Sequence, residues 1–168
     1  VYKRKICNRE VKDIHGNVIA NTMPPMNFRI YWDGDLQEEL LGNLRKRQHF
    51  APCLMKWNGK EAVPLPLGNG KMLYEMGNSG SCNWSKATPN LQADLMGDWR
   101  EELIFWDTTD ASHLNIFTTN CTTKYRVTTL MHDHTYRMSV AWQNVSYNQP
   151  PHLGYYLPTI FLGERTKY

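Results

Sequence analysis

The sequence predicts an all-β chain built from repeated antiparallel hairpins. Three observations carry that prediction. Short segments with alternating apolar residues recur between turn residues, and an eight-residue element occurs twice. Aromatic residues make up 12% of the 168 residues, which suits pleated sheet and sugar stacking alike.

The elements follow in order. Asn27 to Trp32 alternates, with Phe28, Ile30 and Trp32 on one face. Asn58-Gly59 separates Met55-Lys56-Trp57 from Lys60 to Val63, a strong hairpin signal. Leu103 to Trp106, the polar stretch Asp107 to Ser112, and Leu114 to Thr118 form a second hairpin pattern. Tyr125 to Met131 and Met138 to Trp142 alternate again and are expected as strands. Pro24-Pro25, Pro64, Pro66 and Pro150-Pro151 punctuate the chain.

One segment pulls two ways. Leu36, Leu40 and Leu44 fall at helical spacing behind Asp35 as N-cap, so local propensity predicts a helix over 35–47. The repeat predicts a strand there instead. Gly34-Asp35-Leu36-Gln37-Glu38-Glu39-Leu40-Leu41 aligns with Gly97-Asp98-Trp99-Arg100-Glu101-Glu102-Leu103-Ile104, 63 residues later, with five identities. The second copy runs straight into a hairpin. A unit of this size suits a propeller blade with an insertion, and a β-sandwich is the alternative. A propeller needs several blades to remove its edges, so this reading expects the chain to be incomplete or to pair with further copies.

Composition excludes several classes. The formal net charge of +3 is small and scattered, so no nucleic-acid partner is expected. No signal peptide or membrane span is visible, and the opening at Val1 reads as the middle of a domain. Cys7, Cys53, Cys82 and Cys121 form no CxxC pair, which argues against a zinc knuckle and leaves disulfide pairing open. Sequons begin at Asn83, Asn120 and Asn144.

Three clusters could carry chemistry. Asp94, Asp98 and Glu102 surround Gly97, and Asp33, Asp35 and Glu39 surround Gly34. A glycine lets a loop curl so that alternating carboxylates converge on a hard cation such as Ca²⁺. The competing reading has these acids capping turns by accepting backbone N–H bonds. His132-Asp133-His134 could bind metal, although a turn between two strands accounts for it more simply. Asn83-Trp84-Ser85-Lys86-Ala87-Thr88-Pro89 is a polar loop whose lysine could meet an acidic substrate, or act as a base if desolvated.

Two stretches and a shorter element resemble a known family. Ala93-Asp94-Leu95-Met96-Gly97-Asp98-Trp99-Arg100-Glu101-Glu102 is similar to its ADxxGDWREE element. Thr129 to Asp133, Tyr136-Arg137, Ala141 to Asn144 and Tyr147 to His152 are similar to its TLMHDxxYR…AWQNxxYNQPPH ending. Asn27-Phe28 with Trp32 to Leu36 resembles NFxxxWDGDL. These are features of the rhamnogalacturonan lyases of polysaccharide lyase family 11, and the resemblance spans Asn27 to Leu157.

The resemblance implies an eight-bladed β-propeller, of which residues 1–168 would be the last two to three blades with no separate domain boundary. It implies Ca²⁺, an acidic plant cell-wall polysaccharide as partner, a secreted or cell-surface location and no membrane partner. The implied reaction is β-elimination at galacturonate in rhamnogalacturonan-I. By the same resemblance Lys86 and Tyr147 are the expected catalytic residues. Asn83, Trp84, Ser85 and Asn148 are the expected substrate contacts, and Asp94, Asp98, Glu102, Asp33, Asp35 and Glu39 the expected metal ligands. The sequence departs from the family's Asn-Gly-Thr-Lys loop at Trp84, where a glycine is usual, and at Ala87. A reading of another class is a non-catalytic, calcium-stabilised glycan-binding module.

Overall fold

The repeated element seen in the sequence reappears as repeated structure. The computed structural model describes residues 6–7, 10–22, 27–44, 51–67, 69–76, 78–83, 86, 88–145 and 148–162. A small antiparallel sheet comes first, with β1 (Ile6–Cys7), β2 (Glu10–Lys12) and β3 (Val18–Ala20). A four-stranded meander follows: β4 (Phe28–Ile30), β5 (Glu39–Leu44), β6 (Ala51–Trp57) and β7 (Ala62–Pro64). The third sheet centres on β10 (Glu102–Asp107). It has β11 (Leu114–Phe117) on one side, and β8 (Ser79–Gly80) and β9 (Leu91–Ala93) in succession along the other.

Strands β4, β5 and β6 start 63 residues before β9, β10 and β11 respectively. The loops between them repeat as well. Glu39 accepts from the N–H groups of Trp32 (2.7 Å) and Asp33 (3.3 Å), and Glu102 accepts from those of Leu95 (2.8 Å) and Met96 (3.0 Å). Asp35 accepts from Gln37 N–H at 2.7 Å, and Asp98 from Arg100 N–H at 3.1 Å. Gly34 and Gly97 sit at φ +86° and +76°, a left-handed turn that L residues adopt only with strain.

This settles the contest over 35–47. Residues 35–38 form a bend, and the strand begins at Glu39. The helical spacing of the leucines loses because Glu39 is committed to amides upstream, and because β5 pairs along its length with β6, Leu41 opposite Leu54. Gly42 also lies inside the segment, where a helix would lose about 1 kcal/mol relative to alanine. Residues 45–47 lie outside the described residues.

Two apolar clusters hold the sheets together. Phe28, Ile30 and Trp32, the face read from alternation, pack with Leu41, Leu54, Leu73, Leu103 and Phe105 between the meander and the third sheet. The intervening Tyr31 points the other way, into a cluster with Trp99, Leu130, Tyr136 and Leu157.

Two expected strands are not strands. Residues 125–129 are irregular and lead into a 3₁₀ turn at Leu130–His132, with Tyr125 and Val127 against the second cluster. Met138 to Trp142 belongs to helix α1 (His134–Trp142). Its apolar residues alternate, but Tyr136 and Val140 also lie one turn apart and pack on the second cluster, and short apolar runs fit both periods. Asp133 is the N-cap, accepting from Tyr136 N–H at 3.1 Å. His132 and His134 are exposed beside that cap rather than flanking a turn between strands. A short helix α2 (Thr159–Leu162) follows.

The fold is therefore mostly β with few helices, and the described residues close neither a barrel nor a propeller ring. No helix among them is long and apolar enough to cross a membrane.

Candidate functional site

The site starts from the loop that joins β8 to β9. Cys82 N–H donates to Thr88 O at 2.9 Å and closes the loop. Lys86 N–H donates to Asn83 O, also at 2.9 Å, and forms a tight turn within it. Asn27, at the entry to β4, donates its side-chain amide to the Lys86 carbonyl. Asn83 is exposed and Lys86 half-buried. Trp84 and Ser85 lie outside the described residues.

The turn after α1 clasps this loop from the other side. Gln143 and Gln92 exchange amide bonds, with Gln92 N–H to Gln143 Oε1 at 2.9 Å and Gln143 Nε2 to Gln92 O at 2.5 Å. Asn144 Nδ2 donates to Asn90 O at 2.8 Å, and Asn148 Nδ2 to Pro89 O at 3.0 Å. Asn148 is thus a buried tether between turn and loop. Tyr147 lies outside the described residues. The fold brings Pro89, Asn90 and Gln92 against Gln143, Asn144 and Asn148 although more than 50 residues separate Gln92 from Gln143 in sequence.

Sequence reasoning missed what anchors this assembly. Glu101 is fully buried and accepts four hydrogen bonds. Its Oε2 takes Arg29 Nη1 (3.0 Å), Tyr31 N–H (2.9 Å) and Gln92 Nε2 (2.9 Å), and its Oε1 takes the Tyr136 hydroxyl (2.7 Å). Burial raises the pKa of this carboxyl, and the Arg29 charge opposes the rise. One side chain therefore joins the meander, the third sheet and helix α1. Its only sequence signal was the repeated Glu-Glu pair.

The acidic loops behave differently from each other. Among the described residues, the acidic group whose ligand atoms lie within 4.8 Å of one another is Asp33, Asp35 and Glu39. Three convergent carboxylates are donors that a hard cation such as Ca²⁺ accepts, so this triad is compatible with calcium. Lys56 Nζ stands among them, bonded to Asp33 and lying 2.6 Å from Asp35 and 3.3 Å from Glu39. Burial and the neighbouring Asp33 push the Glu39 carboxyl up to about 8 against the pull of Lys56.

In the second loop the carboxylates turn onto the chain itself. Asp94 accepts from Gly97 N–H, Trp99 N–H, Thr129 Oγ1 and Leu130 N–H at 2.7–3.2 Å. Glu102 adds Thr118 Oγ1 to its two amides, and Asp98 pairs with the Arg100 guanidinium.

A family model described as the C-terminal domain of rhamnogalacturonan lyase family 11 matches residues 3–164. The chain belongs to that family. The rhamnogalacturonan endolyase YesW of Bacillus subtilis (strain 168) is 45% identical over 131 residues, covering 78% of this chain and 19% of the relative. The rhamnogalacturonan exolyase YesX of the same organism is 43% identical over 145 residues, covering 86% and 22%. The solved rhamnogalacturonan lyase PL11 of Bacillus licheniformis superposes with a TM-score of 0.71 at 42% identity, over 89% of this chain and 23% of that one. The chain thus spans about a fifth of the length of these curated relatives.

Proposed function

We propose that the protein carrying this chain is a rhamnogalacturonan lyase that cleaves the rhamnogalacturonan-I backbone of pectin by β-elimination at galacturonate. The observation that carries the reading is the family match over residues 3–164, which includes the loop of Lys86. In this reading the substrate meets Asn83, Trp84, Ser85 and Lys86 together with Tyr147 and Asn148.

The chemistry sets what those residues must do. The C5 proton of galacturonate is removed, its electron pair forms the C4=C5 bond, and the C4–O bond breaks. The departing oxygen leaves with rhamnose and takes up a proton. The C5 proton is only weakly acidic, so positive charge at the adjoining carboxylate stabilises the enolate-like transition state. Lys86 neutralises that carboxylate or removes the proton, and Tyr147 stacks on the sugar or assists proton transfer. Calcium, when bound, supplies charge to carboxylates. The residues that would hold it are Asp33, Asp35 and Glu39 if Lys56 moves aside, with Asp94, Asp98 and Glu102 as the acidic set of the second loop.

Two sheets repeated at a fixed interval support a propeller as the wider architecture, eight-bladed as in the family pattern, with residues 1–168 as its last blades. The remaining blades are then this chain's structural partners. The substrate is an extracellular polysaccharide, so the reading places the protein outside the cell or at its surface, with neither nucleic acid nor membrane as partner.

Lys86→Ala in the full-length protein tests the assignment, with formation of the unsaturated product followed by ultraviolet absorbance. A loss of about 10²–10⁴-fold in turnover is expected with an unchanged melting curve. Turnover near wild type removes the role from Lys86.

One observation favours a second reading, a glycan-binding module without catalysis. A groove of about 800 Å³ runs beside the first loop and is lined by Trp57, Tyr155 and Tyr156, with Gln37 and Glu38 at hand. The exposed Tyr155 and Tyr156 rings next to polar side chains suit a sugar. Binding of pectin fragments that is lost in Tyr156→Ala, by a full-length protein that forms no unsaturated product with Lys86 in place, would favour it.

A further inference from the structure

The two loops share the Gly-Asp and Glu-Glu-Leu positions but place one aspartate differently. Position 33 is an aspartate in the first, and its counterpart in the second is Met96. The first loop thus carries a carboxylate directly before its glycine, where the second carries its extra carboxylate two residues earlier, at Asp94. It is also the loop into which β6 sends Lys56, opposite Val63 in the strand register.

Every oxygen of that triad has an assigned partner. Asp33 Oδ1 accepts Asp35 N–H (3.2 Å), Asp35 Oδ1 accepts Gln37 N–H (2.7 Å), and Glu39 Oε2 accepts Trp32 N–H and Asp33 N–H. The three remaining oxygens, Asp33 Oδ2, Asp35 Oδ2 and Glu39 Oε1, all face Lys56 Nζ. An ammonium has three N–H donors and no acceptor, so three carboxylate oxygens are its full complement. The Lys56 and Asp33 side chains are only 23% and 18% exposed and Glu39 is fully buried, while Asp35, 48% exposed, closes the cluster on the solvent side. A calcium ion would need the same three oxygens at 2.3–2.6 Å and could reach them only with Lys56 swung out.

We propose that Lys56 is the resident cation of the Gly34 loop, standing where a divalent ion would otherwise bind, and that removing its ammonium turns Asp33, Asp35 and Glu39 into a calcium site. The second loop agrees with this. It meets Asp98 with Arg100 and satisfies Asp94 and Glu102 with amides and hydroxyls. Each loop satisfies its carboxylate oxygens with donors from within the chain.

Calcium stoichiometry of the full-length protein, measured by titration calorimetry and native mass spectrometry, tests the proposal without any activity assay. Four proteins are compared: wild type, Asp35→Asn, Lys56→Met and the double variant. Wild type and Asp35→Asn should bind the same number of calcium ions. Lys56→Met should bind one more than wild type, and the double variant should lose it again. In EDTA, Lys56→Met should melt about 5 °C lower, with recovery in calcium. Wild type binding one ion more than Asp35→Asn would overturn the proposal, because the loop would then hold calcium with Lys56 present. So would Lys56→Met binding no more than wild type. If Lys56→Met does not fold, the comparison of wild type with Asp35→Asn still decides.

Discussion

Replacing Glu101 by Gln changes one oxygen to an NH₂ and leaves the shape of the side chain intact. Its consequences can be worked from the contacts. Three donors converge on Oε2, so the amide oxygen takes that place and the NH₂ falls opposite the Tyr136 hydroxyl, which already accepts from Asp94 N–H at 3.0 Å. Arg29, 17% exposed, loses its buried counter-charge. Besides the neutral amide oxygen it keeps Glu38 at 3.5 Å, a carboxylate 47% exposed, the Pro151 carbonyl and the face of the Tyr31 ring. Breaking a buried ion pair from one side costs about 3–5 kcal/mol, and the hydrogen bonds that survive set the expectation at about 3 kcal/mol. For a domain of this size that is a fall of about 6–12 °C in melting temperature. Urea unfolding of wild type, Glu101→Gln, Arg29→Met and the double variant measures it. The double variant should cost at least about 2 kcal/mol less than the two single changes added together. A Glu101→Gln cost below about 0.5 kcal/mol, or simple additivity, would refute the assignment of Glu101 as the joint between the sheets.

Further predictions follow from the third sheet. Gly80 lies opposite Trp106 in the register, and a Cβ there would stand 2.4 Å from the indole, so Gly80→Ala should destabilise by about 1–3 kcal/mol, read from the same unfolding curves. Asp107 caps the turn between β10 and β11, accepting from Thr109 Oγ1 at 2.6 Å and Thr109 N–H at 2.8 Å, and these bonds hold its carboxyl down at about 2. A lowered folded pKa gives stability that is present above the ordinary carboxylate value of 3.8 and lost as pH falls towards 2. Protection of the Thr109 and Asp110 amides, taken relative to their intrinsic exchange rates, should therefore fall across that window, and Asp107→Asn should flatten its pH dependence.

The sequence carried the local signals well and the long-range ones poorly. The faces of β4 and of the two hairpins could be read because alternation with a clear turn residue has one structural solution. The repeat corrected the leucine spacing at 36, 40 and 44, since a duplicated Gly-Asp bend constrains the backbone more than propensity does. Met138 to Trp142 went the other way, because its period fits strand and helix equally and only Asp133 as N-cap separates them. Lys56 and Glu101 could not be read as site residues. Lys56 reaches its carboxylates across a strand pairing 17 to 23 residues long in sequence, and Glu101 reaches Arg29 across 72. Neither separation leaves a local pattern.

The account turns on bond breaking by elimination, and the masses of the products test that most directly. The full-length protein is given a rhamnogalacturonan-I oligosaccharide of known length, and the two fragments are weighed by mass spectrometry. Elimination adds nothing from solvent, so the fragment masses should sum to that of the substrate, with an unsaturated uronate on one of them. Fragments that together exceed the substrate by one water would show hydrolysis and contradict the account.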